Sequence, residues 1–198
     1  MNILILGANG KIARLVEEQL LSDKAFSDVK LTLFLRNEIR VDDLIVNRSI
    51  AIEGDVRDNS VVEAAVEDQD IVFDLTGATK SIVPTQNIIR AMQANGVMRV
   101  VSICGLGTHS KTTSQIGTQV AHLYEQSGLD YTILRLAWLN NVNEVRYQVT
   151  QPNKSVQGNS ISRKSVAELI LKIIDDPAYL SKQNVGVSGG IKRDAPIF

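Results

Sequence analysis

Short continuous apolar runs alternate along this chain with segments whose apolar residues recur every three or four positions. Residues 3–6 (Ile-Leu-Ile-Leu) are the first run. Ile12, Leu15, Val16 and Leu20 follow at helical spacing and predict one apolar helix face. Residues 30–36 and 49–53 read as the second and third strands, and a helix starting near Asn59 turns Val62, Ala65 and Val66 inward. Residues 70–75 are a fourth strand. A helix over 84–95 places Ile88, Ile89 and Met92 on one face, with Gly96 as its stop. Residues 97–103 and 131–135 predict two further strands around a helix over 114–126 that Gly128 ends. The last strong helix, 162–175, carries Val166, Leu169, Ile170, Ile173 and Ile174 on one side, and residues 184–188 fit one more strand. Strands that are apolar throughout, rather than alternating, are buried on both faces. The pattern therefore predicts a doubly wound α/β fold, a parallel sheet between two helix layers.

No linker or low-complexity stretch interrupts this alternation, so a single domain over residues 1–198 is expected. Residues 139–160 lack a helix period. They and the C-terminal tail are expected on the substrate side, over the carboxyl edge of the sheet. A hydrophobic content of 44% with 22% charged residues is ordinary for a globular chain. The net charge of −1 speaks against a nucleic-acid partner. No run approaches the ~18 apolar residues of a membrane span, and the chain opens directly into a strand. A cytoplasmic location without membrane association is the expectation. The single cysteine, Cys104, excludes an internal disulfide, and two histidines, His109 and His122, offer no metal-ligand spacing.

Candidate chemistry gathers where strands end. Gly7-Ala8-Asn9-Gly10-Lys11-Ile12-Ala13 joins the first strand to the first helix. A tight glycine turn feeding a helix N-terminus points backbone N–H groups and the positive end of the helix dipole at one place. In an α/β protein the anion held there is usually a dinucleotide pyrophosphate. An ordinary glycine turn is the alternative, so the other strand ends weigh in. Arg36-Asn37 closes the second strand, where a guanidinium suits a 2′-phosphate and tilts the choice to NADP(H) over NAD(H); a solvated arginine is the competing reading. Asp55-Val56 follows the third strand, placed for the adenine amino group and ring, or for a turn role. Leu75 and the small residues Thr76, Gly77 and Ala78 close the fourth strand, where they admit a ribose or the pyrophosphate, although a simple turn would look the same. Cys104 closes the fifth as a further cofactor-side candidate, either a reactive thiol or an inert buried hydrophobe. Together these ends predict a Rossmann-like dinucleotide site.

The same residues resemble the atypical short-chain dehydrogenase/reductase superfamily, in its NmrA-like and NAD(P)H-flavin-reductase-like branch. The resemblance spans nearly the whole chain. It rests on the Gly7–Ala13 fingerprint, on Phe34-Leu-Arg36-Asn37, on Gly54-Asp55-Val-Arg-Asp58 and on Ser127-Gly-Leu-Asp-Tyr-Thr-Ile-Leu-Arg135. Ser162-Arg-Lys-Ser-Val-Ala167 is similar to a later family segment, with Ser165 in place of an acid. The departures are as informative. Many members carry Tyr-x-x-x-Lys on the helix before the sixth strand, where the tyrosine is the proton donor. Here that helix has only Tyr124, with Gly128 four residues on, and Cys104-Gly105 stands where a serine pair is common.

Without that pair, the resemblance implies a reductase whose acceptor needs little acid catalysis, such as a quinone or a flavin (FMN or FAD). The alternative is a non-catalytic NADP(H)-binding redox sensor that acts through a protein partner. His109 is a weak candidate proton donor. Leu106, Ala137, Trp138 and Leu139 are candidates for the wall of the acceptor pocket, with packing an equal explanation for Trp138. A monomer or a homodimer fits either reading.

Overall fold

Apolar runs become strands and periodic segments become helices where the pattern places them. The computed structural model describes residues 1–77, 81–105, 111–151, 154 and 156–190. In the first half these are β1 (Asn2–Leu6), α1 (Lys11–Ser22), β2 (Lys30–Leu35), β3 (Ser49–Glu53), α2 (Asn59–Val66), β4 (Ile71–Asp74) and α3 (Val83–Ala94). The second half holds β5 (Arg99–Gly105), α4 (Lys111–Gln126), β6 (Asp130–Leu136), β7 (Trp138–Asn140), β8 (Gln148–Thr150), β9 (Ser160–Ser162), α5 (Arg163–Asp175) and β10 (Gln183–Ser188). Eight strands pair in the order β3-β2-β1-β4-β5-β6-β10-β8, and every pairing is parallel except that of β8 on β10. The chain winds outward from β1 to β3, returns to the other side of β1 as β4, and winds outward again. This reversal opens a crevice at the carboxyl ends of β1 and β4.

Alternate residues of β1 serve opposite layers. Ile3 and Ile5 face the cluster formed with Ile12, Val16 and Leu20 of α1 and Val166, Leu169, Ile170 and Ile173 of α5. Leu4 and Leu6 face the cluster built from Val62, Ala65 and Val66 of α2, Ile88 and Met92 of α3, and Val120 and Tyr124 of α4. At the amino ends of the strands, Arg99 is nearly enclosed. Its guanidinium donates to the Pro177 carbonyl at 2.8 Å, the Asp130 carbonyl at 3.1 Å and the Thr132 hydroxyl at 2.8 Å. These bonds tie the amino ends of β5 and β6 to the chain that follows α5.

The 139–160 excursion is more ordered than its pattern predicts. It contributes β7, which pairs with β9 in a small parallel ribbon, and the antiparallel edge strand β8. Short strands of this kind carry too few residues for a readable period. Serines anchor the excursion to α5. Ser162 Oγ donates to the Glu144 carbonyl at 2.6 Å and accepts from the Ser165 N–H at 3.0 Å as the helix N-cap, while the Arg146 N–H donates to Ser165 Oγ at 2.9 Å. Ser165, in the place of the family's acid, is a buried tie between two segments.

On α1 the expected face is rotated slightly. Leu15 is 37% exposed, whereas Glu17 is fully buried. Ile12, Ala13, Val16 and Leu20 centre the stripe so that position 15 falls at its border and 17 within it. Among the described residues, neither Glu17 carboxylate oxygen has a well-formed hydrogen bond, the Asn9 N–H facing them without closing one. Burial pushes this carboxyl from 4.5 up to about 7, and the facing Asn9 N–H and the Arg14 charge offset the effect only in part, with Glu18 and Asp43 adding to it. Between these two values the folded chain holds a proton that the unfolded chain has released, so stability falls as pH rises through the window and stays low above it. Glu17→Gln is expected to leave stability at pH 4.5 nearly unchanged and to raise it by up to roughly 3 kcal/mol at pH 8. Urea midpoints at the two pH values measure this, and an equal effect at both would show that Glu17 does not titrate in the window.

Candidate functional site

The turn after β1 is shaped by how closely two backbones approach. Gly7 adopts φ +85°, and a Cβ there would lie 3.1 Å from the Leu75 carbonyl carbon and oxygen and from the Thr76 nitrogen. Only glycine meets both conditions. The Gly7 and Ala8 N–H groups donate to the Phe34 carbonyl of β2 at 3.0 and 3.2 Å, and the Gly10 N–H closes the turn onto the Gly7 carbonyl at 3.1 Å. Asn9 takes φ +65°, a left-handed conformation that asparagine tolerates. Gly10 is then the N-cap of α1. It brings no capping side chain, and the first turn of the helix contains no acid. The free N–H groups of the helix start thus remain for an anion from outside.

Around this turn lies a cleft of about 1010 Å³, at the upper end of the range for small-molecule sites. It brings together most of the strand ends singled out in the sequence: Gly7, Ala8, Asn9 and Gly10 after β1, Arg36 and Asn37 after β2, Asp55 and Val56 after β3, and Leu75, Thr76 and Gly77 after β4. Sequence reasoning missed Arg40, Arg57, Ser81 and Pro84, which also line it. Arg40 enters because the chain after Asn37 coils into a short 3-10 turn, Glu38–Leu44, which no apolar period foretells. Arg57 was legible as an arginine two residues beyond an aspartate that starts a turn. Its N–H, Nε and Nη2 donate to the Asp55 carboxylate at 2.9, 3.0 and 2.6 Å, and these bonds hold that carboxyl down at about 2. Asp55 is therefore an ionised anchor for Arg57 as well as a cleft residue. The adenine contact expected of it would have to share a carboxylate already engaged by three donors.

Other expected positions fall elsewhere. Lys11 is exposed and Ile12 is packed in the core, and neither lines the cleft. Cys104 is buried and does not line the cleft, and burial pushes its thiol up to about 12, which disfavours the reactive thiolate. Ala137 belongs to the core, whereas Trp138 is half exposed and Leu139 half buried on β7; none of the three borders the cleft. Leu106 and His109, like Ala78, lie outside the described residues. Among the described residues no cluster of His, Cys, Asp and Glu is arranged for a metal ion, and no helix is long and apolar enough to cross a membrane.

Tyr124, the tyrosine of α4, is sealed in the core. Its hydroxyl donates to Asp74 Oδ2 at 2.9 Å, and burial together with that carboxylate raises its pKa well above the usual value for tyrosine. It is no surface proton donor. Asp74, the last residue of β4, is itself 1% exposed. The sequence showed it only as an acid closing an otherwise apolar strand.

Comparison with known proteins agrees with this geometry. A family model described as NAD(P)H-binding matches residues 7–177. No curated protein matches the chain. Among solved structures, a Rossmann-fold NAD(P)-binding family protein from Shigella flexneri is 37% identical with a TM-score of 0.87, and the match covers 100% of this chain and 98% of that one. A short-chain dehydrogenase/reductase from Veillonella parvula in complex with NADP is 27% identical with a TM-score of 0.87, covering 100% and 99%. An anaerobillin reductase from Escherichia coli O157:H7 shares the fold at 21% identity and a TM-score of 0.81, covering 98% and 100%. With its glycine turn at the switch in strand order and a family match across most of its length, the chain belongs to the NAD(P)H-binding family of Rossmann proteins, in keeping with the atypical short-chain dehydrogenase/reductase resemblance.

Proposed function

We propose that the cleft holds NADP(H) in preference to NAD(H) and that the protein is an oxidoreductase serving a small acceptor such as a quinone or a flavin (FMN or FAD). One observation carries the reading: an uncapped helix start and three guanidiniums, Arg36, Arg40 and Arg57, border the same cleft. A dinucleotide with a 2′-phosphate offers negative charge at both places. The N–H groups at the start of α1 would hold the pyrophosphate, while Arg36 and Arg40 would take the 2′-phosphate. Arg57, fixed by Asp55, would border the adenine, with Val56 supplying an apolar contact. When bound, the nicotinamide supplies the hydride, and the chain's own contribution is binding and orientation of donor and acceptor. The Veillonella relative in complex with NADP supports the choice of cofactor.

A second reading draws on Tyr124. With that hydroxyl enclosed and bonded to Asp74, the described part of α4 offers no tyrosine to an acceptor. This favours an acceptor that takes its proton from solvent, and it equally suits a redox sensor that binds NADP(H) and acts on a protein partner. Trp138, half exposed just beyond β6, is the aromatic surface we assign to the acceptor side, with Leu139 beside it.

Three outcomes test these assignments. Arg36→Asp is expected to weaken NADPH by about 10- to 100-fold and NADH much less; equal losses by calorimetry would remove the 2′-phosphate role. Gly10→Asp puts a carboxylate at the N-cap of α1, where it engages the N–H groups that the pyrophosphate needs. A Cβ there lies 3.0 Å from the Gly7 carbonyl oxygen, so a melting curve run alongside separates a loss of the cradle from a loss of the fold. NADPH affinity should fall at least about tenfold in the folded variant, and retained affinity would refute the phosphate cradle. Finally, NADPH absorbance should decline on adding FMN or a quinone. Tight NADPH binding with no oxidation by any acceptor would select the sensor instead.

A further inference from the structure

A buried polar network ends at the rim of the cleft. Four donors converge on the Asp74 carboxylate: Tyr124 Oη at 2.9 Å and Ser102 Oγ at 3.2 Å on Oδ2, and Thr76 Oγ1 at 2.6 Å and the Thr76 N–H at 3.2 Å on Oδ1. Asp74, Ser102 and Tyr124 are each no more than 1% exposed, whereas Thr76 is half buried and lines the cleft. A carboxylate has about four acceptor positions, so this one is saturated without any cation. Such a cluster in the middle of an apolar layer is costly unless every member is satisfied. A strand end could be closed more simply by an apolar residue.

The consequence lies in hydrogen-bond polarity. A threonine hydroxyl has one proton, and that of Thr76 is committed to Asp74. The side chain therefore presents only lone pairs to the cleft. It repels phosphate oxygens, which are acceptors themselves, and welcomes a group that donates. We propose that Asp74 and Tyr124 are positioning residues that lock Thr76 as an acceptor for a ribose hydroxyl of the bound dinucleotide, dividing the cleft into a phosphate zone lined by the free N–H groups at the uncapped start of α1 and an acceptor at the end of β4. The proposal rests on the dinucleotide reading above. The close packing of Gly7 on Leu75 and Thr76 sets the two zones side by side, so a pyrophosphate over the turn brings a ribose next to Thr76.

The experiment compares dissociation constants for NADPH, by calorimetry, with those for inorganic pyrophosphate, by competition against NADPH, in the wild type, Thr76→Val, Thr76→Ser, Tyr124→Phe and the Tyr124→Phe/Thr76→Val double variant. Thr76→Val should weaken NADPH by about five- to tenfold and leave pyrophosphate unchanged, and Thr76→Ser should restore wild-type binding. Tyr124→Phe, which leaves the Asp74 carboxylate a donor short, should weaken NADPH selectively as well, and the double variant should lose less than the product of the two single effects. Melting temperatures run in parallel, since a purely structural role would lower stability while leaving the ratio of the two constants unmoved. Equal weakening of both ligands in Thr76→Val, no effect on either, or strictly multiplicative effects would overturn the assignment. Absence of NADPH binding by the wild-type protein would instead refute the dinucleotide reading.

Discussion

The contact between Gly7 and the end of β4 is the constraint on which the rest of the site depends. At that point the backbones of two neighbouring strands, having emerged from the sheet, pack with no room for a Cβ between them. The closeness is a result of topology. β1 and β4 are adjacent in the sheet, and their continuing chains turn to opposite helix layers. It lets the turn fold flat against Leu75 and Thr76, aims the start of α1 across the crevice, and keeps a cleft open above both. Larger side chains here would separate the strand ends and fill the crevice that the fold creates.

Charge is distributed along the cleft in a way that follows from this frame. Guanidiniums of Arg36, Arg40 and Arg57 mark the side of β2 and β3, with Arg57 tied down by the Asp55 carboxylate. The helix start of α1 supplies neutral N–H donors in the centre. Beyond it, at β4, the only acid is turned away from solvent and spent on hydroxyl partners. The acids near the anion turn are thus paired or enclosed, Glu17 by burial and Asp55 by Arg57. This suits a surface that has to accept a polyanion in a chain whose net charge is close to zero.

Much of the fold was legible because its strands and long helices have strong periods. The runs 3–6 and 71–73 are apolar on both faces, which a covered parallel sheet accommodates. What escaped the pattern was short or locally coiled: β7, β8 and β9, and the 3-10 turn that brings Arg40 into the cleft. The candidate site was read in the same uneven way. Gly7, Gly10, Arg36 and Thr76 were found because they sit at strand ends, where position alone is informative. Asp74 and Tyr124 are 50 residues apart and join only because β4 and α4 share one layer. No spacing rule connects them. Ala137, Trp138 and Leu139 also follow a strand end, yet they stand outside the cleft, since β6 lies two strands beyond β4 in the sheet.

By itself, the sequence determined the alternation of strands and helices, the glycine turn and the arginine at the end of the second strand. These are local properties, set by side-chain period and by the dihedral freedom of single residues. Tertiary structure alone decided that Glu17 is buried and Leu15 is not, that Arg57 neutralises Asp55, and that the α4 tyrosine is enclosed in the core and bonded to Asp74. Each of those outcomes depends on which groups the packed layers bring within hydrogen-bond reach or withdraw from water, and that is a property of the assembled sheet rather than of any segment in it.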